Sequence, residues 1–135
     1  MRKAAQSLLR CDKGPLSRAE LAAVWVRLGL VAGDVVMVHS RFYTLGRMSP
    51  PVGRDELTDA FIDSLKEAVG PEGTLVFPTF TLSVFKSGFF DVNETRSEMG
   101  ILSEAARRRR DGRRTTHPMY SFVTIGRRGR CYDDV

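Results

Sequence analysis

The sequence predicts an α/β protein, a layered βαβ-type sheet with flanking helices, and three observations predict it. Two short apolar runs, Val35-Val36-Met37-Val38 and Thr74-Leu75-Val76-Phe77, are rich in β-branched residues and stop abruptly at polar side chains. Between them Leu57, Ala60, Phe61, Ser64, Leu65 and Ala68 recur at three- and four-residue steps, which places them on one helical face. A second helical pattern and a third strand then follow, and the alternation strand, helix, strand, helix, strand describes a sheet layered with crossover helices.

Taken in order, Ser17-Arg18-Ala19-Glu20 has the form of a capping box, and Leu21, Val24, Trp25 and Leu28 continue at helical spacing as far as Gly29. Gly33-Asp34 is a turn dipeptide. The first strand, 35–38, has the continuous apolar character of a strand covered on both faces. A loop from Arg41 to Gly53, with Gly46 and Pro50-Pro51, leads into the main helix, which Gly70-Pro71 stops. The second strand closes at Pro78-Thr79-Phe80-Thr81, where a proline forbids further central pairing. Residues 82–98 form a long connection whose Phe85, Phe89 and Phe90 argue against disorder. A third helix is expected from about Gly100 to Arg110, and a third strand from Ser121 to Ile125.

The chain has 135 residues and 42% apolar content, enough for one domain or part of a larger one with a real core. Cys11 and Cys131 lack metal-ligand spacing and read as free thiols, a remote disulfide that would need an export signal being the lesser alternative; no metal site is expected. No apolar run approaches the roughly 20 residues that span a bilayer, so a cytoplasmic location is expected. The net charge of +5 is entirely local, because the block Arg107-Arg108-Arg109-Arg110-Asp111-Gly112-Arg113-Arg114 alone carries it. A solvated helix end, where cations complement the dipole, explains that block; a nucleic-acid or acidic-partner surface and, more weakly, a membrane-lipid surface are the alternatives. Phosphate-loop, dinucleotide and nucleophile-elbow motifs are absent.

Strand ends in open α/β sheets are where ligands collect, which singles out His39-Ser40 and Thr79. The series Gly33-Asp34-x-x-x-Val38-His39-Ser40, Leu45-Gly46, Val69-Gly70-Pro71-Glu72-Gly73-Thr74-Leu75-Val76, Pro78-Thr79-Phe80-Thr81, Phe90-Asp91, Ser97-x-Met99-Gly100-x-Leu102-x-Glu104 and His117-Pro118-x-x-Ser121 resembles the aminoglycoside 3-N-acetyltransferase family over roughly residues 20 to 126. That resemblance implies an α/β fold, acetyl-CoA as donor cosubstrate, and a primary amine of an aminoglycoside or other amino sugar as acceptor. Relatives with this pattern also acetylate amino sugars of surface polysaccharides. The histidine that the family uses as general base lies in a His-x-x-Glu pair further on, and nothing after Ser121 fits it. Residues 1–135 therefore resemble the amino-terminal, cofactor-binding half of the family domain. As a truncated domain the chain would lack its catalytic base, so no catalytic residue is assigned. A carboxyl-terminal half or an oligomer partner would complete it.

The resemblance implies that His39 and Ser40 contact the thioester and pantetheine, with the Arg41–Gly46 loop over the cofactor phosphates. Arg41 stands where the family often has a small residue, and a guanidinium suits phosphate. Met99 and Gly100 would line the cofactor channel, the glycine letting a ligand approach backbone amides at a helix start. Ser121 would meet the pantetheine arm, positioned by the His117-Pro118 turn. For the acceptor, Thr79, Asp91 and Glu98 offer the hydroxyl and carboxylates that a polyamine needs. Each also has a purely structural reading: a strand-end histidine, a core methionine, a turn glycine, solvated loop acids. The competing class is a non-catalytic module that uses the Arg107–Arg114 patch to bind nucleic acid or an acidic partner. A half-domain too exposed to fold alone is a third possibility.

Overall fold

The computed structural model describes residues 9–11, 14–42, 47–48 and 53–132. The elements run β1 (Leu9–Cys11), β2 (Gly14–Leu16), α1 (Arg18–Arg27), β3 (Val35–Met37), β4 (Arg47–Met48), α2 (Arg54–Val69), β5 (Thr74–Pro78), α3 (Val84–Ser87), α4 (Ile101–Arg108), β6 (Gly112–Arg114) and β7 (Phe122–Gly126), followed by a 3₁₀ turn at Gly129–Tyr132. The main sheet has the order β3-β5-β7-β6, and a small antiparallel sheet has the order β2-β1-β4. Neither the small sheet nor β6 was predicted by the apolar pattern, because their strands are three residues or fewer and lack apolar alternation.

The helices form where the pattern puts them. Ser17 and Glu20 close a reciprocal capping box on α1, the Ser17 N–H donating to Glu20 Oε2 at 2.7 Å. In α2, Leu57, Phe61, Ile62, Leu65 and Val69 are buried and turn toward β5 and β7. Phe77, Leu75, Val123 and Ile125 are at most 1% exposed, so the core lies between α2, α4 and the two central strands. Trp25 of α1 packs edge-on to Phe61 and donates its indole N–H to the buried Ser64 Oγ at 2.8 Å. That bond accounts for a serine on an otherwise apolar helical face.

Three expectations are corrected. β3 is not covered on both faces: it is an edge strand, with Val35 40% and Met37 53% exposed while Val36 packs inward. Its apolar run reads like a central strand although only one face meets the core. The third strand pairs antiparallel with β5, and β6, expected as the end of a helix, forms a hairpin with β7. Since β6 opposes β7 and β7 opposes β5, β6 points the same way as β5, and the α4 crossover joins strands separated by one intervening partner. Nor does Pro78 end all pairing, since the Thr79 N–H still donates to Ser121 O at 2.9 Å and the Thr81 N–H to Met119 O at 3.0 Å. The parallel ladder, Thr74 N–H to Asp34 O and Val38 N–H to Val76 O, would next require an N–H at residue 78. Proline has none, so pairing stops only on the β3 side.

Candidate functional site

The parallel pairing of β3 and β5 brings their carboxyl ends to one rim, where His39-Ser40 and Thr79 follow. The antiparallel β7 begins at the same rim, which places Ser121 beside Thr79. The Glu98 N–H donates to Phe80 O at 2.9 Å, so the segment before α4 also arrives there. Sequence positions far apart thus share one edge of the sheet, but they do not share one cleft.

His39, Ser40 and Arg41 line a cleft of about 470 Å³ with Trp25, Leu28, Val36 and Phe61. Its wall is mostly apolar. Ser40 Oγ is buried there and has no hydrogen-bond partner among the described residues. A hydroxyl in that state is costly to bury. Gly100 and Glu98 line a second, polar cleft of about 450 Å³ with Arg54, Asp55, Arg96, Glu104 and Arg108. Gly100 has φ 102° and open space around the position of a Cβ, which only glycine accommodates without strain. Met99 N–H donates to Ser97 Oγ at 3.1 Å. Met99 itself is half-buried.

The other predicted residues are engaged structurally. Thr79 and Ser121 are fully buried, their hydroxyls 3.1 Å apart, and Ser121 Oγ donates to Thr79 O at 2.9 Å. As they stand, neither faces an open cleft. Asp91 Oδ1 accepts from the N–H groups of Asn93 and Glu94, both at 2.8 Å, and those bonds hold its carboxyl below the ordinary value. Glu98 Oε1 accepts from the Ser83 N–H at 2.7 Å, and hydrogen bonding to Ser83 likewise lowers its pKa. His117 Nδ1 accepts from the N–H groups of Met119 and Tyr120, which makes it the cap of the turn before β7. Gly46 lies outside the described residues.

What the sequence presents as a basic patch is largely a set of clamps. Arg109, with its side chain 16% exposed, bonds Asp59, Asp63 and Asp111 and so ties α2 to the α4–β6 corner. The Asp111 carboxyl is held well below its usual range, chiefly by Arg109 and further by Lys66. Arg108 reaches Asp55 at 3.3 Å. Arg107 pairs with Glu104 at 2.7 Å and also donates to Asn93 O. Burial alone would raise the Glu104 carboxyl, but the Arg107 and Ser97 hydrogen bonds and the nearby Arg96 charge hold it below its ordinary value. Arg114 lies over the Phe90 ring with its Cζ 4.9 Å from the centroid, and burial pulls its pKa down to about 10. The expectation of a solvated helix end fails for Arg107, Arg109 and Arg114, because carboxylates of α2 and carbonyls of the 92–95 segment lie within their reach. Their partners sit up to 50 residues away in sequence, where charge counting cannot find them.

Fold and rim together define an α/β protein with a polar rim at the carboxyl ends of its parallel strands. The comparisons with known proteins agree on a particular class. A family profile described as aminoglycoside 3-N-acetyltransferase matches residues 37–134. Aminoglycoside N(3)-acetyltransferase VII of Streptomyces paromomycinus is 30% identical across 89% of this chain and 46% of its own length. Aminoglycoside N(3)-acetyltransferase IV of a Salmonella species is also 30% identical, across 81% of this chain and 39% of its own. The crystal structure of aminoglycoside acetyltransferase AAC(3)-Xa superposes with a TM-score of 0.76 at 29% identity, covering 91% of this chain and 48% of that one. AAC-IIIb in binary complex with CoASH superposes with a TM-score of 0.70 at 26% identity, covering 84% and 47%. The chain belongs to the aminoglycoside 3-N-acetyltransferase family, and it spans about half the length of the curated relatives it matches.

Proposed function

We propose that this chain forms the acetyl-CoA-facing half of an N-acetyltransferase acting on a primary amine of an aminoglycoside or another amino sugar, in a cytoplasmic setting. The observation that carries this reading is the orphaned, buried Ser40 Oγ beside His39, on the fold of a family with a CoASH-bound member. Ser40 supplies a hydroxyl, His39 an imidazole and Arg41 a cation at one end of an apolar-walled cleft. That combination suits a thioester with an amide-bearing arm and a phosphate tail.

In such a transfer the neutral amine attacks the thioester carbonyl carbon, the C–S bond breaks, and the amine proton must leave. An ammonium is not a nucleophile, so a base near neutrality within hydrogen-bond reach is required. The sequence holds two imidazoles. His117 spends Nδ1 on its turn, and His39 faces the donor cleft in this reading. The base therefore comes from outside these 135 residues, from a carboxyl-terminal half or a partner chain. The 135 residues bind the donor and do not turn over alone.

Calorimetric titration of CoA into the purified chain tests the reading, paired with an acetylation assay. Ser40→Ala should lower CoA affinity about fivefold to tenfold, the worth of one hydrogen bond, while leaving the unliganded protein as stable as before or more so. Removing an unsatisfied hydroxyl costs nothing without a ligand. Loss of stability with unchanged CoA binding would refute the assignment, and acetylation of an amino sugar by the isolated chain would refute the missing base.

A further inference from the structure

Within the arginine block, Arg114 reaches the strand rim. Its Nε donates to Ser121 Oγ at 3.0 Å, one terminal nitrogen donates to Thr79 O at 2.9 Å, and the other donates to Val92 O at 3.3 Å and to Thr95 O. Four of five guanidinium N–H groups are thus spent on three separate segments, with the Phe90 ring as a plate beneath. No carboxylate lies within ion-pair distance of it among the described residues. This is a tether built from neutral oxygens.

The consequence for Ser121 is saturation. Its oxygen accepts from Arg114, shares a hydrogen bond with Thr79 Oγ1 and donates to Thr79 O. The consequence for the 91–95 turn is attachment. Internally that turn is closed by Asp91 Oδ1 on two backbone N–H groups and by the Asp91 N–H on Thr95 Oγ1 at 2.7 Å. Its ties to the rest of the protein run through Arg114, at Val92 and Thr95, and through Arg107, at Asn93. Oδ1 of Asp91 is thus committed, and no hydrogen bond reaches its Oδ2 among the described residues.

We propose that Arg114 is a positioning residue for the acceptor: it locks the Asp91 turn against the Thr79–Ser121 end of the sheet, so that the Asp91 carboxylate is presented at a fixed place to a cationic amino sugar. The proposal rests on the reading that the acceptor is a polyamine. Lysine cannot replace arginine here, since one ammonium cannot span acceptors on three segments in a planar fork.

The test compares wild type with Arg114→Met, Arg114→Lys and the exposed control Arg110→Ala. Hydrogen exchange of residues 88–96 is measured, with calorimetric titration of sisomicin and of CoA. Arg114→Met and Arg114→Lys should each speed exchange of the 91–95 amides about tenfold or more and weaken sisomicin about tenfold, with CoA affinity within about twofold and α2 protection unchanged. Arg110→Ala, which removes the same charge, should change none of these. A merely structural arginine would instead lower protection everywhere, and that outcome overturns the proposal, as does wild-type protection of 91–95 in either variant. If Arg114→Met does not fold, Arg114→Lys decides. If wild type binds no sisomicin, the acceptor reading fails, and the exchange data still decide whether Arg114 holds the turn.

Discussion

Charge at a single residue does different things depending on what it can reach. Arg109 lies between an exposed ion pair, worth little, and a buried one, costly to break, and it serves three aspartates at once. Arg109→Ala should therefore cost about 1–2 kcal/mol in urea unfolding, more than an exposed pair and less than a buried one. The same cluster sets an acid limb. Asp111 and Glu104 both have folded pKa values below their ordinary ones. Their contribution is fully present above the unfolded values near about 4 and disappears as pH falls through the lower folded values. The urea midpoint should be flat from pH 7 to about 5 and drop steadily below about 4, with a shallower drop in Arg109→Ala because Asp111 then has less to lose. A midpoint that falls equally in both proteins would show that Asp111 is not the responsible group.

At the scale of elements, what was legible in the sequence follows from periodicity and local chemistry. The α1 capping box and the face of α2 were readable because each depends on neighbours within a turn or two. The edge position of β3, the β6–β7 hairpin and the arginine clamps were not, since each depends on partners brought in by the fold. The rim residues were legible as a set because strand ends carry polar residues. Burial of Thr79 and Ser121 was not, because it depends on neighbours such as Arg114 that only the fold brings to them. Trp25 and Ser64 show the same division: the helical spacing of both was readable, and their bond across α1 and α2 was not. Ser64→Ala leaves the indole N–H without its acceptor and should cost about 1–3 kcal/mol. Adding Trp25→Phe should cost less on that background than it does in wild type, and a double-mutant cycle by thermal or urea unfolding measures the coupling. Strict additivity would mean that the 2.8 Å contact contributes nothing.

The molecule as a whole covers one side of its sheet well and leaves its β3 edge bare among the described residues. In the parallel register with β5, residues 34, 36 and 38 turn their backbone groups inward, so the N–H and C=O groups of Val35 and Met37 point away from the sheet. Apolar surface lies next to that edge, with Leu28 73%, Val31 60% and Met37 53% exposed. An unpaired strand flanked by apolar side chains is a template for another strand, and natural edges usually carry a charge to prevent it. The chain spans under half the length of its curated relatives. The isolated chain should consequently self-associate with rising concentration. Val35→Lys places a charge at the start of the bare edge, at a position 40% exposed and outside the His39–Ser40 cleft. In sedimentation velocity the variant should stay at the 15.1 kDa monomer mass where wild type grows, with CoA affinity the same in both. A wild-type chain that remains monomeric at high concentration would mean that this edge is protected by some other feature, and equal association of both proteins would place the contact elsewhere on the surface.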